Sequence, residues 1–566
     1  MLNTIYEIRG SLERLAQGKS NILFVHPDIR NYENGLLTGD HVICIKASVE
    51  VAMAVKTFAA IDVGSFELAM KIYEISSKNG MREIEHIRHR LALGADTYST
   101  RKISPGKMDE LCRVLREFDQ IMKAYHVTDY KAYGTSAIRE TENTTIVLDQ
   151  IKNRTGLEIE VLSNSEQRFL DYKSVASRGE QFKKIIERGT AIADIGGGNI
   201  QISLFDNDTL VITQNLKLGV LRLHERMLSM RPRPGQVDEL LEEMIQSQLA
   251  VFKKLYMKDR QISNLIVVDD YVSRVIKTKV PGVDRDGLMS AENYQAFIDS
   301  LVSMRVEEKA DCLGIPEENV DLFSISAHLI KNMVELMEPD SIWAPGVTLG
   351  DGIAYEYAEK NKRKFISHDF EKDILACAGN ISKRYMGSRK RSETMEEICL
   401  TIFDSMQKVH GMGKRERLLL QLSAILHDCG KFINMTNVGE CSYNIIMNTE
   451  MIGLSHVERQ IVAFVVRFNH DRFLYYDEMV TESMIDRKAY LVIAKLAAIL
   501  RLANSLDKSH KQKFKKIKGT LSEQELVLTV EAGQDILLEQ EMLKRAADFF
   551  EEVYCVRPRI EQKKQL

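Results

Sequence analysis

The chain of 566 residues is poor in the residues that mark several classes of protein. Tryptophan occurs once and proline nine times, which argues against long disordered or collagen-like tracts. The formal net charge is only −4, so the chain lacks the global positive field that coats nucleic acid. We therefore expect no specific nucleic-acid partner.

The sequence also lacks a disulfide framework, a secretory leader and a membrane span. Its eight cysteines are scattered, with no Cys-x-x-Cys pair, and indicate buried reduced thiols. Residues 1–4 contain no basic segment leading into an apolar one. The longest apolar run, around Ala494–Leu502, is interrupted by Lys495 and Arg501, short of the roughly 18–20 residues of a span. We expect a cytoplasmic protein with no membrane partner.

One short pattern occurs twice, about one domain length apart. The apolar run Phe58–Ile61 leads into Asp62-Val63-Gly64-Ser65, and Ala191–Ala193 leads into Asp194-Ile195-Gly196-Gly197-Gly198. A strand-like stretch follows each turn. The repetition predicts an internal duplication, with two similar α/β domains that face each other.

Other segments carry clear secondary-structure signals. Ser104 as N-cap and Pro105 at the first position predict the start of a helix. The alternation from Ile200 to Leu204 predicts a half-buried antiparallel strand. The pattern turns helical after about residue 365, and the alternation Leu526–Val530 suggests a small α/β tail.

The glycine turns suggest that the protein binds phosphate. A glycine turn after an apolar strand points backbone N–H groups at an anion, and a nearby carboxylate can hold the Mg²⁺ that bridges phosphate oxygens. A single such turn is more often only a tight hairpin. Two turns from facing domains favour a grip on a phosphate chain from both sides.

Five motifs in order give the sequence a family resemblance. They are Asp62-Val63-Gly64-Ser65, Gly134-Thr135-Ser136-Ala137-Ile138-Arg139-Glu140, Ser163-Asn164-Ser165-Glu166-Gln167, Asp194-Ile195-Gly196-Gly197-Gly198 and Leu218-Gly219-Val220. With these, the chain resembles the exopolyphosphatase / guanosine pentaphosphate phosphatase family. The segment around His427-Asp428 is similar to the His-Asp (HD) type domain of long family members.

The resemblance implies an architecture. It is a pair of duplicated actin-like α/β domains (ribonuclease H-like), then an all-α HD-like domain and a small α/β tail. The domains expected are an N-terminal extension of unknown role at 1–57, actin-like domain I at 58–190, actin-like domain II at 191–364, the HD-like domain at 365–507 and the tail at 508–566. A homodimer is compatible with it.

The resemblance also implies a reaction, in which Mg²⁺ and two loops grip a terminal phosphoanhydride and a carboxylate-activated water attacks. The substrate expected is inorganic polyphosphate or a phosphorylated guanine nucleotide. The implied roles are metal binding by Asp62 and Asp194; phosphate binding by Gly64, Ser65, Arg139, Gly196, Gly197, Gly198 and Asn199; and catalysis by Gln167, Gln201, Glu166 and Glu140.

The departures from the family pattern bear on activity. Gln167 and Gln201 stand where the family has glutamates, and Phe66 replaces an asparagine. A glutamine keeps the hydrogen-bonding shape but cannot accept the proton, and general base catalysis contributes about 10²–10⁴-fold. Glu166 and Glu140 are substitute candidates. A hydrolase, a degenerate phosphate-binding regulator and an interaction protein all remain open.

The HD-like segment departs further. Arg391 falls at its upstream histidine, Asn504 at its distal aspartate, and Gly439 and Cys441 replace other histidines. The pair His427-Asp428 alone cannot complete a coordination sphere. We expect a structural domain without a tightly bound metal.

Overall fold

The structure is a computed structural model that describes residues 56–76, 80–231, 233, 236–269, 272–302, 304–361, 368–483 and 485–563. The chain divides into two compact units, residues 1–56 and 57–566, and the account below concerns the second. The N-terminal extension predicted at 1–57 lies almost wholly outside the described residues.

The first sheet has five strands. They are β1 (Lys56–Val63), β2 (Glu67–Ser76), β3 (Gly80–Arg90), β4 (Asp129–Gly134) and β5 (Glu160–Val161), in the order β3-β2-β1-β4-β5. β3 is antiparallel to β2, whereas β4 runs parallel to both β1 and β5. One face packs under helices α1 (Leu93–Thr100), α2 (Pro105–Ala124), α3 (Ser136–Glu140) and α4 (Thr144–Thr155).

Two helices, α5 (Asn164–Ala176) and α6 (Glu180–Ile186), lead to a second sheet of six strands. Its strands are β6 (Thr190–Ile195), β7 (Ile200–Asp206), β8 (Thr209–Leu216), β9 (Asn264–Asp269), β10 (Leu288–Ser290) and β11 (Ser341–Trp343), in the order β10-β11-β9-β6-β7-β8. β7 is antiparallel to β6 and β8, and β9 is parallel to β6 and β11.

The two sheets share one strand order, which supports the duplication that the repeated turns predict. An antiparallel meander (β1-β2-β3, β6-β7-β8) is extended on its first strand by parallel strands (β4 and β5, β9 and β11). The helices between β8 and β11 cover one face of the second sheet. They are α7 (Val220–Met230), α8 (Val237–Phe252), α9 (Ser273–Lys279), α10 (Ala291–Val302), α11 (Val306–Leu313) and α12 (Val320–Met337).

Helix α13 (Leu349–Lys360) returns the chain from the second sheet to the first. It packs against α5 and β2, and its Leu349, Ile353, Ala354 and Ala358 join Phe58 and Ala60 of β1 in one buried cluster. The helix that follows the second sheet thus belongs by packing to the first.

The rest of the described chain is helical until the tail. Its helices are α14 (Phe370–Arg384), α15 (Arg389–Ser405), α16 (Gln407–His410), α17 (Lys414–Leu426), α18 (Val438–Asn448), α19 (His456–Phe468), α20 (Tyr476–Glu482) and α21 (Arg487–Leu506). The tail contains β12 (Phe514–Leu521), β13 (Glu525–Ala532), α22 (Leu537–Tyr554) and β14 (Arg557–Gln562). The predicted helical region and small α/β tail are therefore observed.

Helix α21 is, in the described part of the chain, the one helix long and apolar enough to span a membrane by length and composition. In its most apolar window, 72% of the residues are buried inside the protein. Its apolar side chains join the core that runs through the helical region, so the helix is a core element of this fold.

Local signals placed several elements correctly, and one expectation needs correction. The hydroxyl of Ser104 accepts a hydrogen bond from Lys107 N at the start of α2, as predicted. β7 is antiparallel, but it is buried on both faces and not half-buried. Helix α14 packs against the neighbouring β8. It covers the face of the sheet that carries Phe205, which was expected to be exposed to solvent.

The thiols agree in part with the expectation. None of the seven cysteines in the described residues forms a disulfide, and Cys112, Cys377, Cys399 and Cys429 are buried. Burial raises the pKa of the Cys377 and Cys429 thiols to about 11. Cys312 and Cys555, by contrast, are exposed.

A glycine allows α13 to lie against α5. A Cβ at Gly352 would lie 1.9 Å from the backbone oxygen of Leu170, a distance that real Cβ atoms never reach. We expect Gly352→Ala to force the two helices apart and destabilise the protein by about 1–3 kcal/mol, the usual cost of overpacking. The thermal unfolding midpoint measures this.

Gly379 provides the matched control, since it also lies inside a helix but is exposed. A Cβ there would meet nothing within 4 Å, so Gly379→Ala should stabilise the protein by about 0.5–1 kcal/mol through helix propensity. Equal midpoints for the two variants would contradict the close approach of α13 and α5.

Candidate functional site

The first glycine turn closes the end of β1. Gly64 N donates to the oxygen of Glu67 at 3.1 Å, and a Cβ on Gly64 would lie 2.7 Å from that oxygen. Only glycine allows this turn without displacing the backbone. Asp62, the penultimate residue of β1, lies two residues before Gly64, and Ser65 follows Gly64 directly.

The second turn repeats the first at the end of β6. Gly196 N donates to the oxygen of Asn199 at 3.0 Å, the same three-residue reach. A Cβ on Gly219 would lie 2.1 Å from the backbone carbon of Gly198. The start of α7 therefore packs directly on this loop, with Val220 N donating to Gly196 O at 3.0 Å.

Both turns line one cavity of about 60 Å³ between the two sheets. The predicted residues that it brings together are Asp62, Gly64, Ser65, Gln167, Asp194, Gly196 and Gly197. Gly198 adjoins them, since a Cβ there would lie 3.1 Å from the hydroxyl of Ser136, which lines the cavity.

The lining of this cavity is acidic. Its carboxylates belong to Asp62, Glu67, Asp171, Asp194 and Asp269, and no lysine, arginine or histidine is found among the described residues of the lining. Carboxylates gathered in a buried space repel one another unless a cation or a proton compensates them. The cavity therefore favours a cation together with any phosphate that enters.

Three hydroxyl groups form a closed cluster at the turn of the first sheet. Ser65 Oγ lies 2.7 Å from Ser136 Oγ and 2.9 Å from the hydroxyl of Tyr98, which is 2.9 Å from Ser136 Oγ. The ring of Tyr98 lies under the guanidinium of Arg222, 4.8 Å from its centroid. Hydroxyl donors of this kind can rotate towards a phosphate oxygen.

Arg139 lies beside the cavity and not in its lining. Its Nη1 donates to Leu162 O at 2.7 Å and to Gln167 Oε1 at 3.3 Å. Burial lowers the pKa of this guanidinium, although Glu140 acts in the opposite direction. Arg139 is thus linked to the cavity by its hydrogen bond to Gln167, which lines it.

The two substitute glutamates are not brought to the cavity lining. Glu166 accepts from Ser163 N at 3.0 Å in the capping box that starts α5, and it lines a separate open cavity of about 480 Å³ together with Arg139. Glu140 forms an ion pair with Arg222, at 2.7 Å between carboxylate and guanidinium. Each carboxylate already serves a structural contact.

Gln201 and Asn199 lie just behind the second turn. Gln201 is paired with Asp194 across β7 and β6 and is only 4% exposed. Its Oε1 has no hydrogen-bond partner among the described residues. Asn199 is buried as well, and its backbone oxygen closes the turn.

Sequence reasoning missed three residues of this region. Asp171 lies four residues after Gln167, one helical turn along α5, a spacing that could have identified it. Asp269 ends β9 beside Ile195 of β6, and the parallel order of those strands was not predicted. No sequence signal marks Tyr98, since it reaches the site from α1.

The His427-Asp428 pair lies in a different cluster, inside the helical region. Arg391 forms an ion pair with Asp428, its Nη2 donates to Asn504 Oδ1 at 2.9 Å, and its Nε is 3.4 Å from Asp507. The guanidinium compensates these carboxylates together with Lys431, whose Nζ lies 2.8 Å from Asp428. Burial lowers the pKa of His427, and the charge of Arg391 adds to that effect.

No group of three or more histidine, cysteine, aspartate or glutamate side chains arranged to hold a metal is found in the described part of the chain. In the helical cluster the guanidinium of Arg391 lies beside Asp428, where a metal ion would otherwise bind. The assignment of this region as HD-like remains a prediction.

Two family models match the chain. One, described as the Ppx/GppA phosphatase family, matches residues 71–361, and one described as Ppx/GppA phosphatase, domain III, matches residues 376–549. Together they cover the second sheet, the first sheet from within β2 onwards, and most of the helical region.

Individual relatives are similar at low identity. A guanosine-5'-triphosphate,3'-diphosphate pyrophosphatase of Vibrio atlanticus is 21% identical over 446 residues, 78% of this chain and 86% of that protein. The protein of the same name from Aeromonas hydrophila is 20% identical over 485 residues, 85% of this chain and 91% of its own.

Solved structures were also matched. The Aquifex aeolicus member of the Ppx/GppA family is 17% identical, with a TM-score of 0.46, and the match covers 54% of this chain and 99% of that one. An exopolyphosphatase from Cytophaga hutchinsonii is 18% identical, with a TM-score of 0.47, covering 55% and 100%.

The helical cluster yields a prediction about Arg391. Replacing it with alanine removes the buried cation from Asp507 and leaves Asp428 with Lys431 alone, and breaking a buried ion pair costs about 3–5 kcal/mol. We expect Arg391→Ala to lower the thermal unfolding midpoint strongly. The purified wild-type protein should carry no stoichiometric transition metal, which elemental analysis measures.

Arg389 is the control on the same helix. It is 93% exposed and pairs with Glu393 on the surface, so Arg389→Ala should leave the midpoint nearly unchanged. Stoichiometric metal that is lost on His427→Ala would contradict the structural role of the cluster.

Proposed function

We propose, from the premise that this chain belongs to the Ppx/GppA phosphatase family, that it hydrolyses the terminal phosphoanhydride bond of inorganic polyphosphate or of a guanosine pentaphosphate. The observation that carries the proposal is the acidic cavity at which two equivalent glycine turns meet. The names of the relatives, a guanosine pentaphosphate pyrophosphatase and an exopolyphosphatase, support this class of substrate.

The size of the cavity supports attack at a chain end. A volume of about 60 Å³ has room for on the order of four to six waters, the scale of one phosphoryl group and its nucleophile. A nucleoside, or the rest of a phosphate chain, would have to lie outside it. Hence the cavity itself recognises a terminal phosphate, which both substrates present.

The donor set of the cavity fits Mg²⁺. This ion prefers oxygen ligands and is usually held by one or two carboxylates together with substrate phosphates and waters. We propose that Asp62 and Asp194 hold it, since each precedes a glycine turn and both line the cavity. When bound, Mg²⁺ neutralises the charge of the phosphate oxygens.

The remaining groups position the phosphate. Backbone N–H groups of the turns at Gly64 and Gly196 face an anion as a nest does, and the hydroxyls of Ser65 and Ser136 donate beside them. Arg139 lines the neighbouring cavity of about 480 Å³, where it would meet the part of the chain that stays outside. The reaction would occur in the cytoplasm, and a homodimer stays a prediction.

The proposal is tested by phosphate release from polyphosphate and from guanosine pentaphosphate, with Mg²⁺ and with EDTA. We expect Mg²⁺-dependent release of orthophosphate. Asp194→Asn should lower kcat/KM by about 10²–10³, the usual effect of removing one electrostatic contact to the transition state. Wild-type protein that binds neither substrate would contradict the proposal.

Asp548→Asn is the matched control, because this aspartate is 76% exposed on α22 and pairs only at the surface with Arg557. It should keep wild-type activity. An equal loss in both variants would show that the assay reports folding and not the site.

A second candidate is a regulatory protein that binds the same phosphates without cleaving them. Gln167 and Gln201 favour it, because neither amide can accept a proton or add negative charge for a metal. Tight binding of polyphosphate without orthophosphate release would identify this function.

A further inference from the structure

Hydrolysis in the cavity requires a group that takes a proton from the attacking water. Gln167 lines the cavity, but a neutral amide cannot act as that base near pH 7. Gln201 has the same deficiency. A hydrolase built on this chain must therefore carry its base at another position.

Several carboxylates near the cavity are already committed. Asp269 accepts from Ser326 Oγ at 2.5 Å and from Val272 N in the turn before α9. Glu67 pairs with Arg88 at 2.6 Å. Asp62 and Asp194 precede the turns and suit the metal.

Glu166 and Glu140 are committed as well. The first closes the capping box of α5 and the second pairs with Arg222, and neither lines the cavity between the turns. Either glutamate would have to break its local contact before its carboxylate could accept a proton from the attacking water.

Asp171 is the carboxylate on the same helix as Gln167. The two residues are four apart in α5, so they share one face and are separated by one turn, about 5.4 Å along the axis. Both line the cavity, and Asp171 is only 5% exposed. It therefore brings a buried acid to the space that the amide of Gln167 also borders.

The helix that carries Asp171 is held firmly. The backbone oxygen of the preceding residue, Leu170, lies so close to α13 that only Gly352 fits opposite it. Ser174 Oγ donates to the backbone oxygen of Asp171 at 2.6 Å. A fixed backbone on both sides is what positions a catalytic carboxylate.

We propose that Asp171 is the general base of this protein, a role that the glutamine at position 167 cannot fill. The inference rests on the proposed hydrolase function. One carboxylate oxygen of Asp171 takes a proton from water as the water oxygen bonds to the terminal phosphorus. The bridging P–O bond breaks, its electron pair leaves with the shortened chain, and orthophosphate is released.

The test compares phosphate release from polyphosphate by the wild type, Asp171→Asn, Gln167→Glu and the double variant. Asp171→Asn should lower kcat by about 10²–10⁴ with little change in KM, since a base acts in the chemical step. Adding Gln167→Glu to it should restore kcat at least tenfold, because it returns a carboxylate to the same helix face. Asp548→Asn again serves as the control.

The rescue separates a catalytic role from a structural one. If Asp171 only supported the fold, a carboxylate at position 167 would not restore kcat, and that result would overturn the inference. Circular dichroism and polyphosphate binding report whether Asp171→Asn is folded. Loss of binding together with loss of activity, without rescue, likewise counts against a base.

Failure of the inference and failure of the proposed function look different. A wild type that releases phosphate, with Asp171→Asn equally active, removes Asp171 from the mechanism and leaves the hydrolase function standing. A wild type that binds polyphosphate but releases none, in Mg²⁺, removes both and identifies the regulatory function.

Discussion

The close approach of two glycine turns is the constraint on which the site depends. A Cβ on Gly197 would lie 3.1 Å from the Cβ of Ser65, so the loops of the two sheets are nearly in van der Waals contact. Side chains larger than hydrogen on the second loop would separate them. The small cavity, and the position of Asp62 and Asp194 in one lining, follow from this contact.

The contact concentrates negative charge, and that concentration determines what the cavity can bind. Five carboxylates border a space of about 60 Å³, where water screens them poorly. A phosphate alone would add to the repulsion, whereas a phosphate with a divalent cation relieves it. The same acidity that disfavours a bare anion is the reason that we expect binding of the proposed substrate to depend on the metal.

Local signals in the sequence gave the elements reliably. The N-cap at Ser104 and the turns at Gly64 and Gly196 depend on neighbouring residues only, and each is found where it was predicted. The repeat of those turns also indicated the duplication. Sequence alone predicts an element well when the contacts that form it lie between residues close together in the chain.

The acids of the site were harder to identify because their roles depend on packing. Glu166 was a candidate base, yet it follows Ser163 in the Ser-x-x-Glu spacing of a capping box, a local pattern that already signals its contact. Asp171 reaches the cavity only because α5 lies against α13, a contact between residues far apart in sequence. Tyr98 likewise depends on where α1 lies.

In two clusters of this chain, residues of different charge replace those that the family resemblance predicts. The two replacements have different physical consequences. In the helical region Arg391 and Lys431 supply two cations to Asp428 and Asp507, so charge is balanced without a ligand. Gln167 in the cavity lining and Gln201 behind it are neutral where glutamates are expected, yet Asp171 and Asp269 keep the lining acidic. A cluster with basic side chains at its centre has no need of a bound cation, whereas a lining of acidic side chains can hold one. This difference in charge is the reason that we propose the cavity between the two sheets, and not the helical cluster, as the site of the chemistry.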